Sequence, residues 1–302
     1  MAHKHTHSHA PIDFGRAFAV GIALNLSFVI AEFLYGRAAH SLSLVADAGH
    51  NLGDVLSLLL AWGAMLLSKR LPTPRRTYGL RRSSILASLV NAVVLLITVG
   101  AVAWEAIRRL ANPEPIGEVT VIWVAVVGIV INSITALLFM AGRKSDLNIK
   151  GAFLHMAADA AVSLGVVIAG VAILFTGAFW LDPVVSLVVM AVVLISTWGL
   201  LRDSLNLALD AVPEGIEMPA VEQYLRSLTG VSDVHDLHVW GMSTTEAALT
   251  AHLVMPDTSC DDRLLSRIHS ELHDRFGIEH TTIQVERGDP EYPCGLAPHN
   301  VV

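Results

Sequence analysis

The chain has 302 residues, of which 53% are hydrophobic and only 16% charged, with a formal net charge of −7 and a positive mean hydropathy. That balance excludes an ordinary soluble domain, where about 25% of residues are charged, and points to a membrane protein. Two cysteines, Cys260 and Cys294, make a disulfide framework unnecessary and a four-thiolate zinc centre from one chain impossible, leaving a single disulfide or a mixed metal site open.

The chain opens on "MAHKHTHSHAPID" at 1–13, which has no apolar h-region and no small-residue cleavage site, so it is not expected to be a cleaved signal peptide. Its alternating His3, His5, His7 and His9 form a tract suited to capturing transition metals. Six apolar stretches follow, at 14–36, 42–67, 83–107, 118–141, 151–175 and 180–202. Each has the roughly 20 residues needed to cross a hydrocarbon layer about 30 Å thick as a helix.

Loop charges orient this bundle. The second connection, "SKRLPTPRRTYGLRR", holds six basic residues and no acid, and the fourth, "GRKSDLNIKG", holds three basic residues. The positive-inside rule places both loops in the cytoplasm, so six spans put both termini there as well, in a cell-membrane protein.

Beyond residue 208 the composition changes. Residues 209–302 carry sixteen acids against five arginines and no lysine, whereas the preceding residues carry a small basic excess. "GIEMPAVEQYLRSL" reads as an amphipathic helix, "VSDVHDLHVWGM" and "EAALTAHLVM" as strands, "CDDRLLSRIHSELHDRF" as a helix and "HTTIQVE" as a strand. This αββαβ order predicts a small α+β domain with two helices on one sheet face. Its acidity argues against nucleic-acid partners. The expected organisation is a His-rich tail at 1–13, a six-helix transmembrane domain at 14–208 and a cytoplasmic domain at 209–302.

Within the apolar spans, polarity is concentrated. His50 and Asp54 stand four residues apart in the second span, and His155 and Asp159 repeat the spacing in the fifth. At i and i+4 both side chains leave the same helix face and can share one ligand. An aspartate in the membrane costs roughly 2.5–3.5 kcal/mol on insertion scales, so it must meet a partner, water or an ion. Two His and two Asp make a four-ligand tetrahedral set suited to zinc, cobalt or cadmium. Asp47, one turn before His50, reads as supporting or water-facing; Asn25, Asn91 and Asn132 read as interhelical hydrogen-bonding groups, with lining of the pathway the alternative for Asn25 and Asn132; Glu32, near the outer end of the first span, is expected to be solvated.

"SLSLVADAGHNLGD" and "HMAADAAVSLG" resemble the second and fifth transmembrane segments of the cation diffusion facilitator family, in its zinc and cobalt-zinc-cadmium resistance branch. The resemblance extends over nearly the whole chain. It implies that His50, Asp54, His155 and Asp159 are the transport ligands, that a proton moves opposite to the metal, and that the protein is a homodimer with a ferredoxin-like, metallochaperone-like cytoplasmic domain.

That domain contains further histidines on predicted strands. His235, His252, His280 and Glu286 form the expected regulatory metal set, since opposing strands can assemble His and carboxylate ligands and the resembling family binds metal in this domain. His238, sharing parity with Trp240, reads as structural. "HSELH" at 269–273 lacks the H-E-x-x-H order of a zinc protease, so His269 and His273 belong to a solvated helix face, while Cys294 and His299 could share a tail site.

Imidazole must be neutral and carboxylate ionised to bind metal, so such a site can exchange a dication for protons. No phosphate-binding G-x-x-x-x-G-K-[ST] loop is present, which favours a secondary transporter over a nucleotide-driven pump. An intramembrane hydrolase is disfavoured because four protein ligands would leave no open position for water. A non-transporting metal sensor or scaffold is the alternative reading.

Overall fold

The computed structural model describes residues 15–68, 71–140, 147–256 and 261–297. The N-terminal His tract, Cys260 and His299 lie outside them. Six long helices come first: α1 (Gly15–Ala38), α2 (Leu42–Ser68), α3 (Ser83–Ala111), α4 (Glu118–Met140), α5 (Leu147–Thr176) and α6 (Leu181–Ala208). They contain 23 to 30 residues each, or about 35–45 Å at 1.5 Å per residue. Among the described residues, four stretches are long and apolar enough to cross a membrane: Ser83–Ala111, Glu118–Leu137, Ala158–Thr176 and Leu181–Ala208.

The breaks between helices follow local chemistry. Pro72 and Pro74 stand between α2 and α3, and Pro113 and Pro115 between α3 and α4. α5 ends on Gly177 at φ 66, whose amide donates to the Ile173 carbonyl.

The chain forms two compact units, one made of residues 1–58 and 93–197 and the other of 59–92 and 198–302. In the first, α4 packs along α5 and also meets α1. Small residues permit this approach. A Cβ on Gly170 of α5 would lie 2.9 Å from Ile122 Cγ1 of α4, and one on Gly128 of α4 would lie 2.9 Å from Phe28 Cζ of α1. Leu44, Val121, Ala125, Val166 and Ile173 form one buried cluster, and Ala46, Val99, Val189, Met190 and Val193 another. Large apolar side chains also face outward, Ile97, Trp123, Phe175 and Ile195 among them. A surface of this kind suits lipid rather than water.

In the second unit, α7 (Met218–Arg226), β1 (Asp233–Gly241), β2 (Ala247–Val254), α8 (Asp262–Phe276) and β3 (Ile278–Glu286) follow the αββαβ order. The sheet order is β1-β2-β3, with β1 and β2 antiparallel and β2 and β3 parallel. Helix α8 provides the crossover that a parallel pair needs. Asp261 accepts from the Leu264 amide at 2.9 Å to start this helix. Gly277 at φ 67 ends it and passes directly into β3.

Val221, Tyr224 and Leu225 of α7 and Ile268 and Leu272 of α8 share one core with Val234, Val239, Leu249, Ala251 and Leu253 of the sheet. Both helices therefore cover the same sheet face. Burial beside Glu271 pushes the Tyr224 hydroxyl up to about 12. The basic second connection also belongs to this unit. Arg81 donates to Glu246 at 3.0 Å, Arg82 pairs with Asp210, and the Ser84 hydroxyl accepts from the Thr244 amide at 3.1 Å.

Candidate metal centres

In the helical unit, His50 of α2 and Asp159 of α5 come within 3.2 Å, Nε2 to Oδ1. Asp159 is almost wholly buried, and burying a carboxylate is costly unless it is paired or hydrogen-bonded. Asp54 and His155 lie on the same two helices, but their side chains are outside the described residues.

A second layer surrounds this pair. The Ser163 hydroxyl donates to Asp47 Oδ2 at 2.9 Å, and Asn51 Nδ2 donates to Glu32 Oε2 at 3.2 Å. Asp47 and Glu32 are both fully buried. The expectation that Glu32 is solvated is therefore overturned. Its helix turns it inward, and Asn51, one residue after His50, accounts for part of its polarity.

The sequence also gave no weight to Asp182, at the start of α6. This buried carboxylate accepts from the Ser41 and Ser43 hydroxyls, both at 2.6 Å, and from the Leu42 and Ser43 amides at 2.6 and 3.2 Å. It thereby caps α2 from another helix. The helix that carries His50 is fixed at its origin. The adjacent Leu-Asp-Pro signature reads locally as the beginning of α6, with Pro183 in its first turn, and gives no hint of this longer contact.

A different cluster forms on the sheet. Leu249, Ala251 and Leu253 of β2 point into the helix-covered core, so His252 belongs to the opposite face. His235 pairs with His252 across the antiparallel ladder, and their rings lie 5.2 Å apart. Between His235 and His238 the register shifts, with Asp236 at φ 48. This bulge reverses the alternation, so that Val234 and Val239 both reach the core while His235 and His238 stay on the other face.

Glu286, at the end of β3, completes the approach. Its Oε1 is 2.9 Å from His252 Nδ1 and its Oε2 is 3.3 Å from His235 Nε2. Cys294 Sγ lies 3.5 Å from His252 Nδ1, and ligand atoms of His235, His252, Glu286 and Cys294 all fall within 4.8 Å of one another. Asp236 is 3.3 Å from His252 Nε2 and 2.9 Å from His238 Nε2.

Burial pushes the Glu286 carboxyl up, but hydrogen bonds from Cys294 and Gln284 and the attraction of two imidazoles outweigh it and leave it below its usual value. The Leu296 amide favours the Cys294 thiolate, yet burial and the neighbouring Glu286 carboxylate prevail and hold the thiol above its usual value. His235 is buried, and among the described residues neither ring nitrogen makes a hydrogen bond, Nε2 meeting Glu286 only as an ion-pair contact.

His280 does not join this group. It shares a face with Glu286, but six residues separate them, about 20 Å along a strand. There its ring meets Tyr78 edge-on, with centroids 5.6 Å apart. His269 Nδ1 meets Thr281 and His273 meets Asp274, both on exposed surface, and the Asp274 hydrogen bond raises the His273 imidazole above its usual value.

Comparison with known proteins places these centres in context. Residues 18–207 match the cation efflux transmembrane domain, and residues 213–288 match the cation efflux protein cytoplasmic domain. The metal cation efflux system protein CzcD of Cupriavidus metallidurans is 36% identical over 98% of this chain and 93% of its own length. The zinc transporter ZitB of Escherichia coli is 36% identical over 95% and 93%. A cadmium, cobalt and zinc/H(+)-K(+) antiporter of Bacillus subtilis is 32% identical over 93% and 91%.

Proposed function

The chain belongs to the cation efflux family, whose members are transporters and not enzymes, and on that premise we propose that it carries zinc out of the cytoplasm in exchange for protons through His50, Asp54, His155 and Asp159. Cobalt and cadmium are further substrates of the same ligand set. The observation that carries this reading is the 3.2 Å approach of His50 to buried Asp159 across α2 and α5.

The register supports it. Position 47 of α2 meets position 163 of α5, and position 50 meets position 159, so the two helices run antiparallel here. Extended by one turn, the same register brings position 54 level with position 155. Two carboxylates and two neutral imidazoles carry charge −2, which a zinc ion neutralises. Protons must take the place of the ion for the site to return through a low-dielectric region without that charge. Buried Asp47 and Glu32 add carboxylates next to the exchange point.

In this reading the domains divide at 208 and 209, all six helices span the cell membrane and both termini are cytoplasmic. Two chains pair through a ferredoxin-like cytoplasmic domain, here lacking one strand of that fold, and the His tract captures metal near the entrance. His235, His252 and Glu286 belong to a regulatory metal site in that domain.

Purified protein in vesicles with an internal zinc dye and an acidic lumen tests the transport reading. Zinc should enter only while the pH gradient stands, and should not enter with Asp159→Ala or His50→Ala. Gradient-independent entry, or full activity in either variant, would refute it.

A further inference from the structure

The turn between α1 and α2 has only three residues, 39–41, and His40 closes it in the left-handed region at φ 55. Three other elements reach this turn. From the last turn of α3, Arg109 Nη1 donates to the His40 carbonyl, and the guanidinium is braced by Glu105 at 3.3 Å and Glu114 at 3.8 Å. The amide of Gly117, which leads into α4, donates to the Ala39 carbonyl at 2.9 Å. Asp182 of α6 takes the hydroxyls of Ser41 and Ser43 and the amides of Leu42 and Ser43. We propose that this clasp is the outer gate of the transporter, and that Arg109, Gly117 and Asp182 must release residues 39–43 for the ion to leave.

The clasp lies at the end of α2 away from the basic connection, which is the outer end in the orientation proposed above. His50 stands eight residues from Leu42 and eighteen from Ser68, about 12 and 27 Å along the helix at 1.5 Å per residue. The clasped end is therefore the nearer exit. Asp182 is 1% exposed and the Arg109 side chain 14%, so the closed clasp shields its own charges from water.

The chemistry suits a joint that opens and closes. Every bond of the clasp is polar and lies at the end of the bundle, where water can take its place, and exchanging a protein hydrogen bond for one with water has a small net cost. An apolar seam of the same extent would expose its whole area on opening. Release detaches α2 from the origins of α4 and α6 together. Because α4 packs along α5, that release lets His50 of α2 shift against Asp159 of α5, so opening the exit and loosening the ion are one motion. This inference rests on the transport reading and on the cytoplasmic placement of the basic connection.

A cross-link tests it. A Cβ on Gly117 would lie 3.3 Å from Ala39 Cβ, close to the roughly 3.8 Å that a disulfide spans. In the zinc-entry vesicles, Ala39→Cys with Gly117→Cys should carry zinc when reduced, fall to the flux of protein-free vesicles when oxidised, and recover on reduction. Each single variant, whose other thiols are Cys260 and Cys294, should be indifferent to oxidation. Undiminished flux in protein shown by mass spectrometry to be cross-linked would overturn the gate, since the clasp would then be a fixed staple.

If the reduced pair carries no zinc, Ser41→Cys decides. Ser41 is buried in the closed clasp, so a membrane-impermeant maleimide applied to the face opposite the C-terminal domain should label it faster with zinc and the pH gradient present than without them. Equal rates would overturn the gate. Labelling only from the face of the C-terminal domain would overturn the orientation and the outer gate together, and a parent chain that moves no zinc would remove the transport reading itself.

Discussion

The two candidate centres assemble their ligands in opposite ways. In the helical unit each of two elements carries a pair of candidate ligands one turn apart, and the spacing within each pair is set by the helix itself. On the sheet, four separate stretches each contribute one ligand: β1, β2, the end of β3 and the returning tail. The first arrangement depends on how two helices are aligned. The second depends on strand parity, a bulge and a turn, each of which must be right before a ligand set exists.

The strongest way to break this comparison is to remove charge from the helical pair while keeping its shape. Asp159→Asn should reduce zinc entry into vesicles to that of protein-free vesicles, with an unchanged thermal transition of the purified chain. A retained gradient-driven flux would show that the pair is not the exchange point.

Next comes alignment without any ligand touched. Asp182→Ala leaves Ser41, Leu42 and Ser43 without their acceptor and should destabilise the helical unit by about 2–4 kcal/mol. A lowered unfolding midpoint, together with slower transport, is the expected pair of readouts. A stable but inactive variant would instead move Asp182 into the ion path.

The sheet side is sharpened by a smaller change. Gly277→Ala meets no atom within 4 Å, so its effect is purely conformational at φ 67. It should cost about 1–2 kcal/mol, measured as the urea midpoint of the cytoplasmic domain's strand signal.

The smallest effect concerns Asp233, which the Arg226 hydrogen bond holds below the usual carboxylate value. A depressed value means stability that is present above about pH 4 and is lost as pH falls through the folded-state value. Because the carboxylate is more than half exposed, Asp233→Asn should cost at most about 0.5 kcal/mol at neutral pH. Its stability should then fall less than the parent's on acidification, compared by melts at pH 6 and pH 3.

This contrast also explains what could be read from the residues alone. The His50/Asp54 and His155/Asp159 spacings lie within single helices, where separation in sequence is separation in space, and His50 and Asp159 meet as that spacing suggests. The αββαβ order was equally legible, because period and turn chemistry change together at each boundary. The sheet-face cluster was only partly so. Parity put His280 and Glu286 on one face of their strand, but parity carries no information about distance along a strand, and the two are about 20 Å apart. Nothing local announces that Asp236 forms a bulge or that Cys294 turns back toward His252. Glu32 and Asp182 were missed for a related reason: their partners are supplied by other helices, 19 and about 140 residues distant in the chain.

Arg81 and Arg82, which close the second connection, act at two moments in the life of the molecule. Under the proposed orientation they are, during synthesis, among the six cations that bias the connection toward the cytoplasm; after folding they hold Glu246 and Asp210. A mutation that neutralises either one is therefore judged twice by selection. Related chains should be freer to shuffle Arg75 and Arg76 than to relocate the two arginines whose positions matter as well.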